Sequence, residues 1–466
     1  MNKKKTNVLF ILSDDQGAWA MGCAGNPEIR TPQLDALAQH GMRFENFFCV
    51  SPVCSPARAS LLTGRIPSQH GIHDYLRDGN GGCGQKAIPY LEKEVCYTDI
   101  LADHGYQCAL SGKWHLGDGA RPQHGFEFWF SHQKGGGPYY NAPMFRNGEP
   151  ILVDGYITDV ITDEAISFLR SRDKDRPFYL SVHYTAPHSP WVGCHPEAYT
   201  RLYEDCAFEN CPQAEPHPWA VTGVMPAYHD PRPHLIGYYA AITAMDANVG
   251  RLLACLEDLG VTEDTLVIFT SDNGFNCGHH GIWGKGNGTF PLKLYDTSIK
   301  VPFIVSHPGR IPAGITNTCL VSAYDFFPTL LDYLDIPCLQ GGNLPGTSFL
   351  PLLKGGRKSC DRPVVVFDEY GAARMIRTEN YKYIHRYPYG PNEFYDLRHD
   401  PQERSNQMDR PEFEPIIQQL RHQMEVWFCQ YAMPQVDGTR EAVKGGGQMD
   451  LAGIYSNGKD IYPVNR

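Results

Sequence analysis

The stretch "NVLFILSDDQG", residues 7–17, decides the fold of this chain, because an apolar run of strand length ends abruptly in two carboxylates. Further apolar runs, "QCALSG", "RPFYLSVHY", "TLVIFTS" and "VPFIVS", alternate with helical patterns such as "TPQLDALAQHGM" and "IGYYAAITAMDANVGRLLACLEDLG". This alternation predicts βαβ units around a buried, mainly parallel sheet. Ligands of such sheets bind beyond the carboxyl ends of the strands, so the polar residues at those ends are the candidate site.

Helix-capping residues and a loop-forming stretch along the chain predict two domains. Thr31 as N-cap, Pro32 at the first helical position and Gly41 near the C-cap delimit one early helix. The Gly-, Pro- and Lys-rich stretch 338–362 is typical of a connection. After it we expect the short antiparallel strands "PVVVFDEY", "ARMIRT" and "YKYIHRY", followed by the helix "PEFEPIIQQLRHQMEVWFCQYA". We therefore predict an α/β catalytic domain over 1–350, with a large mixed, mainly parallel sheet flanked by helices. A smaller C-terminal antiparallel-sheet-and-helix subdomain over 351–466 would complete the substrate pocket.

Composition excludes several classes of function. The chain has 466 residues and a formal net charge of -11, which argues against nucleic acid or an anionic membrane as a partner. The basic start is followed only by "VLFIL", shorter than a secretory or membrane segment, so neither a signal peptide nor an anchor is predicted. Fifteen cysteines without framework spacing favour free thiols and a cytoplasmic location.

Two predicted strands end in metal-ligating side chains. Asp14 and Asp15 follow the first strand, and Asp272 and Asn273 follow "TLVIFTS". If these strands are parallel neighbours, three carboxylates and an amide converge at one edge of the sheet. Such an all-oxygen set favours Ca²⁺ or Mg²⁺. The alternative is that each Asp caps a following helix or turn.

Other strand ends and loops supply bases and cations. Lys113 and His115 follow "QCALSG" two positions apart, so in extended chain they would share one face. His188 follows the strand "RPFYLSVHY", and Lys285 and Lys293 lie in a glycine-rich loop that could close over a ligand. One of the two loop lysines is expected to be a bystander.

The segment "SPVCSPARASLLTGR", residues 51–65, places a cysteine just before an apparent helix "PARASLLTG". The N-terminus of that helix would stabilise an anion at position 54, and Arg58 would add a fixed planar cation. A thiolate is a soft ligand and a poor match for a hard cation. An oxygen nucleophile derived from Cys54 therefore fits this setting better than the thiol.

Together these motifs resemble a known family. The pattern C-x-P-x-R at Cys54, Pro56 and Arg58, followed by "LLTGR", resembles the signature of type I sulfatases in the alkaline phosphatase superfamily. "NVLFILSDDQG", "SGKWHLG", "APHSP" and "FTSDNG" are similar to further family motifs and occur in the family's order. The resemblance implies an alkaline phosphatase-like α/β fold. It also implies that Cys54 is oxidised after translation to Cα-formylglycine, whose hydrate is a geminal diol.

The resemblance also implies roles for single residues. One hydroxyl of the diol, assisted by the metal and Asp272, would attack sulfur. Arg58, Lys113 and a loop lysine would offset charge on the sulfate oxygens, and His188 would protonate or stabilise the leaving alcohol. His115 would take the proton of the second hydroxyl, so that sulfate is expelled. The implied ligands of Ca²⁺, or of Mg²⁺, are Asp14, Asp15, Asp272, Asn273 and modified Cys54.

Two assignments are less direct. The segment "GKGNGTFPLKLY" carries an apparent insertion relative to the family pattern, which makes Lys285 the first choice for the sulfate-binding lysine and Lys293 the second. Donors and charges suited to a sugar come from two loops. These candidate substrate-binding residues are His73, Asp74, Arg77, His385 and Arg386.

We therefore predict an exo-acting sulfatase for sulfated saccharides of the glycosaminoglycan type. An arylsulfatase, or a phosphonate or phosphate monoester hydrolase of the same superfamily, is the alternative within the enzyme class. An unmodified, non-catalytic metal- or glycan-binding protein is the alternative from another class. The resemblance implies one protein partner, a formylglycine-generating maturase, and a cytoplasmic site favours its oxygen-independent radical type.

Overall fold

The computed structural model describes residues 5–77, 87–338, 343–356 and 366–463. Within these ranges the strands form one large sheet, one short hairpin and one small C-terminal sheet. The strands are β1 (Asn7–Ser13), β2 (Met42–Phe48), β3 (Gln107–Gly112), β4 (Phe126–His132), β5 (Tyr140–Arg146), β6 (Glu149–Tyr156), β7 (Phe178–His183), β8 (Thr265–Ser271), β9 (Asn276–Cys277), β10 (Trp283–Gly284), β11 (Lys300–Ser306), β12 (Ile315–Ser322), β13 (Val366–Tyr370), β14 (Ala373–Arg377), β15 (Tyr381–Arg386) and β16 (Glu393–Asp396).

The large sheet has ten strands in the order β12-β2-β11-β8-β1-β7-β3-β4-β5-β6. β1 lies at its centre and is parallel to both β7 and β8, while β3 is parallel to β4 and β7. β11, the strand "VPFIVS" of the sequence, runs antiparallel to β2 and β8. The prediction of a large mixed, mainly parallel sheet is therefore confirmed, and β11 is one of its antiparallel members.

Strand β1 is buried along its whole length, because helices cover both faces of the sheet. Val8, Phe10 and Leu12 belong to one hydrophobic core, and Leu9 and Ile11 belong to the other. This period of two is the alternation that a strand imposes on its side chains. Burying each of these side chains contributes on the order of 1.5–3 kcal/mol, so the central strand is held from both sides.

Helices pack on both faces of the sheet. Side chains of α1 (Pro32–Gln39), α5 (Ile157–Ser171) and α7 (Pro231–Asp258) join the core of Leu9. Side chains of α2 (Cys54–Thr63), α4 (Tyr97–Asp103) and α9 (Phe326–Tyr333) join the core of Phe10. The helices are α1 (Pro32–Gln39), α2 (Cys54–Thr63), α3 (Pro67–His70), α4 (Tyr97–Asp103), α5 (Ile157–Ser171), α6 (Glu197–Thr200), α7 (Pro231–Asp258), α8 (Asp296–Ile299), α9 (Phe326–Tyr333), α10 (Leu350–Leu353) and α11 (Glu414–Tyr431).

The N-terminus of α1 is satisfied differently from the sequence prediction. Thr31 occupies the N-cap position, but its hydroxyl makes no capping bond and instead donates to Asp35 Oδ1 at 3.1 Å. The Asp246 carboxylate of α7 accepts from the backbone N–H groups of Gln33 and Leu34 at 3.1 and 2.8 Å. A cap from a distant helix thus replaces the local cap, because it satisfies the same orphan donors.

The C-terminal region forms an antiparallel sheet, β13-β14-β15-β16, against which α11 packs. Three of these strands and the helix match the sequence prediction, whereas β16 was not predicted. Residues 339–342 and 357–362 of the predicted connection lie outside the described residues, and the division at 350 stays a prediction. The tail after Met433 has little regular structure, yet it returns to the loop of residues 71–77, where Gln448 pairs with Leu76.

Every cysteine in the described ranges is a free thiol, as the scattered spacing predicted. No described helix combines the length and apolar character needed to cross a bilayer. The predicted cytoplasmic location stays a prediction.

Candidate active site

The site lies at the carboxyl ends of β1 and β8, whose parallel register brings Ser13 opposite Ser271. Backbone bonds continue past the strands: Asp272 N–H donates to Ser13 O at 3.2 Å, and Asp15 N–H donates to Asp272 Oδ1 at 3.2 Å. Asp14 and Asp15 therefore face Asp272 directly, as the sequence predicted for neighbouring strands.

Cys54 faces this carboxylate cluster from the start of α2. Its Sγ donates to Asp14 Oδ1 at 3.3 Å, and Lys285 Nζ lies 2.7 Å from the same sulfur. The sequence placed Cys54 before the helix; the structure makes it the first helical residue, with Val53 as an extended N-cap. The helix begins earlier than predicted because Cys54, Ser55 and Pro56 all adopt helical geometry. A proline is tolerated there because it lies in the first turn of the helix.

Three cations are distributed over the three carboxylates. Arg58 Nε donates to Asp272 Oδ2 at 2.9 Å, and Lys113 Nζ donates to Asp14. Lys285 Nζ donates to Asp15 as well as contacting Cys54, so this lysine lies within the cluster, while its role in binding sulfate stays a prediction. These side chains are buried, so the pairs are largely shielded from water.

Burial and nearby charges shift the pKa values of Asp14 and Asp272 in opposite directions. Burial would raise the pKa of Asp14, but Lys113, His188, Arg58 and Lys285 outweigh it and hold this pKa well below its usual value. The pKa of Asp272 is raised to about 6, because burial and the neighbouring Asp14 outweigh Arg58. Asp14 is thus held ionised, whereas Asp272 can hold a proton near neutral pH.

Burial and the nearby Asp14 also raise the pKa of the Cys54 thiol. The thiol is therefore neutral at physiological pH in this setting. A neutral thiol is a weak nucleophile, so unmodified Cys54 is poorly suited to attack an ester. This agrees with the sequence argument for an oxygen nucleophile at position 54.

Two histidines adjoin the cluster. His188 Nε2 lies 3.7 Å from Asp15 Oδ2, its Nδ1 bonds to Ser189 O at 2.7 Å, and 28% of its side chain is exposed. His188 is thus within reach of both the cluster and solvent, as a proton donor to a leaving group needs to be. Its pKa is lowered by burial, against the opposing effect of Asp15 and Asp14.

His115 is placed differently from the sequence expectation. Strand β3 ends at Gly112, and His115 has a left-handed φ of 59°, so Lys113 and His115 do not follow each other along an extended chain. Its Nε2 lies 2.9 Å from the carbonyl oxygen of Leu76. A carbonyl only accepts hydrogen bonds, so Nε2 carries a proton. Burial and Lys113 lower the pKa of His115 well below its usual value, so the ring is neutral and Nδ1 keeps its lone pair. Among the described residues, this buried Nδ1 has no hydrogen-bond partner.

A run of three glycines, residues 135–137, covers the histidines and was not among the predicted site residues. A Cβ on Gly135 would lie 1.9 Å from His115 Nε2, and one on Gly136 would lie 3.9 Å from His188 Cε1. The close approach at Gly135 explains why a residue without a side chain stands there. The triplet "GGG" at 135–137 was the only signal of this close approach in the local sequence, and only the fold shows that it lies against His115 and His188.

The remaining candidate residues lie outside the carboxylate cluster. Lys293 is buried over the ring of Tyr295 at 5.5 Å, and in the described chain its Nζ makes no hydrogen bond. Burial lowers the pKa of Lys293 well below its usual value, partly opposed by Glu403. This setting differs from that of Lys285, whose pKa is raised well above its usual value, chiefly by the Asp15 carboxylate and against the opposing effect of burial.

The predicted sugar-binding residues are mostly engaged within the protein. Asp74 accepts from Tyr370 Oη and Gly447 N–H at 2.7 and 2.8 Å. Arg386 pairs with Glu393 at 2.5 Å. Their roles stay predictions. The others are placed as follows: His73 is buried, Arg77 is exposed, and His385 bonds to Tyr383 Oη at 2.7 Å.

The donor set fits a hard divalent cation. Asp14, Asp15, Cys54 and Asp272 each offer a ligand atom, and these atoms lie within 4.8 Å of one another. Asn273 donates through Nδ2 to Asp15, while its buried Oδ1 has no partner within the described residues. An orphaned amide oxygen beside three carboxylates is what an oxygen-coordinated ion would satisfy.

Comparison with known proteins defines the class. Residues 6–336 match the family described as "Sulfatase", and residues 278–429 match "N-sulphoglucosamine sulphohydrolase, C-terminal". The first match spans most of the chain, so the chain belongs to the sulfatase family and is a sulfuric ester hydrolase. The family uses formylglycine and a divalent metal, with which the buried acidic and cysteine cluster is compatible.

Individual relatives agree with this assignment. An N-acetylglucosamine-6-O-sulfatase of Bacteroides thetaiotaomicron is 29% identical, covering 92% of this chain and 87% of the relative. An ulvan-active sulfatase of Formosa agariphila is 33% identical, covering 89% and 80%. A structure solved in complex with its substrate D-glucosamine-2-N,6-O-disulfate superimposes with a TM-score of 0.80 at 27% identity, covering 92% of this chain and 98% of the other.

Proposed function

We propose that this chain is an exo-acting carbohydrate O-sulfatase that uses Cys54, oxidised to formylglycine, together with Ca²⁺. The observation that carries the proposal is the position of Cys54, which is enclosed by Asp14 and Lys285 at the first turn of a buried helix. When present, the modified residue and the ion supply an activated oxygen nucleophile. All other contributions come from side chains in the described site.

The cations would bind the sulfate group. Arg58, Lys113 and Lys285 surround position 54 and now neutralise carboxylates. Donors fixed in a buried site stabilise charge that develops on sulfate oxygens more strongly than mobile water does. Because the three cations balance three carboxylates, an added dication would free lysine charge for the sulfate.

The histidines would move protons at opposite ends of the reaction. His188 is partly exposed and would donate a proton to the leaving alcohol oxygen. His115 is buried with a free Nδ1 lone pair, which suits a base that accepts a proton at residue 54. The proton donor is therefore the histidine that reaches solvent, and the proton acceptor is the histidine whose Nδ1 is enclosed.

The names of two relatives support a saccharide substrate. One acts on N-acetylglucosamine bearing a 6-O-sulfate, and another structure holds a glucosamine disulfate. We therefore propose 6-O-sulfated amino sugars of the glycosaminoglycan type as the substrate class. Maturation by an oxygen-independent radical enzyme and a cytoplasmic location complete the proposal.

The test is sulfate release from a matched substrate panel by the matured enzyme, saturated with Ca²⁺. The panel contains 6-O-sulfated N-acetylglucosamine and N-acetylgalactosamine, an aryl sulfate, and the phosphate ester of the same sugar. We expect the highest kcat/KM on a sulfated amino sugar and none in a Cys54→Ala control. Higher turnover of the aryl sulfate or the phosphate ester would replace this proposal with the corresponding alternative.

Peptide mass spectrometry separates the enzyme from a non-catalytic binding protein. Oxidation of Cys54 exchanges sulfur for oxygen and removes two hydrogens. A native thiol throughout a matured, active preparation would contradict the proposed nucleophile.

A further inference from the structure

The C-terminal tail is bonded to the loop of residues 71–77 through Gln448, which is fully buried. Its backbone N–H donates to Tyr75 O at 2.8 Å, and its backbone oxygen accepts from Arg77 N–H at 2.9 Å. Its side chain accepts from His73 N–H at 2.8 Å and donates to Gly71 O at 3.1 Å. One residue thus holds four points of a seven-residue loop.

Glycines beside Gln448 allow this close pairing. Gly447 has a φ of +100°, and a Cβ there would lie 2.2 Å from Arg77 Cγ. Its N–H donates to Asp74 Oδ2 at 2.8 Å, and Tyr75 Oη donates to Gly446 O at 2.9 Å. The segment 446–448 therefore acts as a strap that follows the loop residue by residue.

The loop in turn contacts His115, the proposed proton acceptor of the active site. Leu76 lies between the two strap-bonded residues Tyr75 and Arg77, and its carbonyl is the acceptor for His115 Nε2 at 2.9 Å. Its N–H donates to Ser55 Oγ at 3.0 Å, beside the nucleophile position. The position of the Leu76 carbonyl therefore decides both the orientation of the His115 ring and the nitrogen that carries the proton.

We propose that Gln448 is a positioning residue for His115, acting through the Leu76 carbonyl. With the loop in place, Nε2 is protonated and the Nδ1 lone pair is available as the base. The effect on turnover rests on the proposed function, in which His115 accepts a proton, but the effect on the tautomer does not.

The variant Gln448→Glu tests this with almost no change in shape. The carboxylate still accepts from His73 N–H, but its second oxygen faces the carbonyls of Gly71 and Asp450, which now accept from the amide at 3.1 and 2.8 Å. Repulsion there is expected to move the loop. The control is Ile454→Ala, an exposed tail residue whose side chain is 67% accessible.

The primary readout is the tautomer of His115, measured by ¹H–¹⁵N correlation spectra of ¹⁵N-histidine-labelled protein. The His115 signals are assigned by their loss in His115→Gln. We expect a single Nε2–H tautomer in the wild type and in Ile454→Ala. In Gln448→Glu, the His115 signals should show a second tautomer or intermediate shifts.

The secondary readout is steady-state kinetics. We expect kcat to fall about 10- to 100-fold with KM little changed, since misplacing a reacting group by about 1 Å can cost on the order of 100-fold. If Gln448→Glu fails to fold, Tyr75→Phe, which removes the hydroxyl bond to Gly446 O, is expected to show the same changes at smaller size.

The outcomes are distinguishable. Unchanged His115 signals in a folded Gln448→Glu protein would overturn the inference. A changed tautomer with unchanged kcat would support the positioning by Gln448 and would contradict the role of His115 in the proposed function.

Discussion

Replacing Lys285 with methionine removes the cation closest to the nucleophile position while keeping a side chain of similar length. Lys285 Nζ lies 2.7 Å from Cys54 Sγ and also bonds to Asp15. A sulfate oxygen held at position 54 would therefore lie within about 4 Å of the ammonium. One unit of charge at that distance is stabilised by about 4 kcal/mol at an effective dielectric constant of about 20.

That energy corresponds to a loss of about 1,000-fold in kcat/KM, since each 1.36 kcal/mol is tenfold. The matched variant is Lys293→Met, eight residues further along the same loop. Lys293 is buried, burial lowers its pKa, and its Nζ makes no hydrogen bond within the described residues. Methionine there removes no contact with the carboxylate cluster, so turnover should change little.

The assay is initial-rate sulfate release by matured, metal-saturated enzyme, with the melting temperature of each variant measured in parallel. Loss of one partner from a buried ion pair can cost about 3–5 kcal/mol of stability, so rates are compared well below the melting temperature. Near-wild-type turnover in Lys285→Met, together with a large loss in Lys293→Met, would refute the assignment of the sulfate-binding lysine.

Four further outcomes are expected. Cys54→Ser should lose sustained sulfate release, measured by ion chromatography, because serine lacks the second hydroxyl of the diol. Asn273→Ala should reduce the rise in melting temperature on adding Ca²⁺, because it removes the orphaned amide oxygen. Gly135→Ala should lower kcat, because its Cβ would lie 1.9 Å from His115 Nε2. In metal-free protein, the depressed pKa of Asp14 gives stability above pH 3.8 that is lost on further acidification, so Asp14→Asn should flatten acid unfolding curves below that pH.

Most of the fold and of the carboxylate cluster could be predicted from short sequence patterns. The apolar run ending in Asp14 and the run ending in Asp272 predicted two neighbouring strand ends, because ligands gather at the carboxyl edge of a parallel sheet. The structure places these strands side by side, with Ser13 opposite Ser271. Such information is contained in short segments, so a single sequence is sufficient to find it.

Contacts between residues far apart in the chain could not be predicted from such patterns. β11 reads as one more apolar strand, and nothing in its pattern reveals that it runs antiparallel. The cap of α1 by Asp246 joins residues more than two hundred positions apart, as the hydrogen bonds to Gln33 and Leu34 show. Likewise, Gln448 lies in a tail without periodicity, and its importance arises only from the loop that folding brings to it.

The burial of Cys54 sets an order of events. Only 2% of this residue is exposed, and all ten residues of α2 are buried. If Cys54 is oxidised as we propose, the maturing enzyme would have to bind the segment around Cys54 in an accessible, unfolded form, because the folded chain encloses the thiol. Oxidation would then compete in time with folding. The active fraction of any preparation would then depend on how quickly the chain folds relative to how much maturase is present during synthesis, and folded thiol protein could not be rescued afterwards without unfolding.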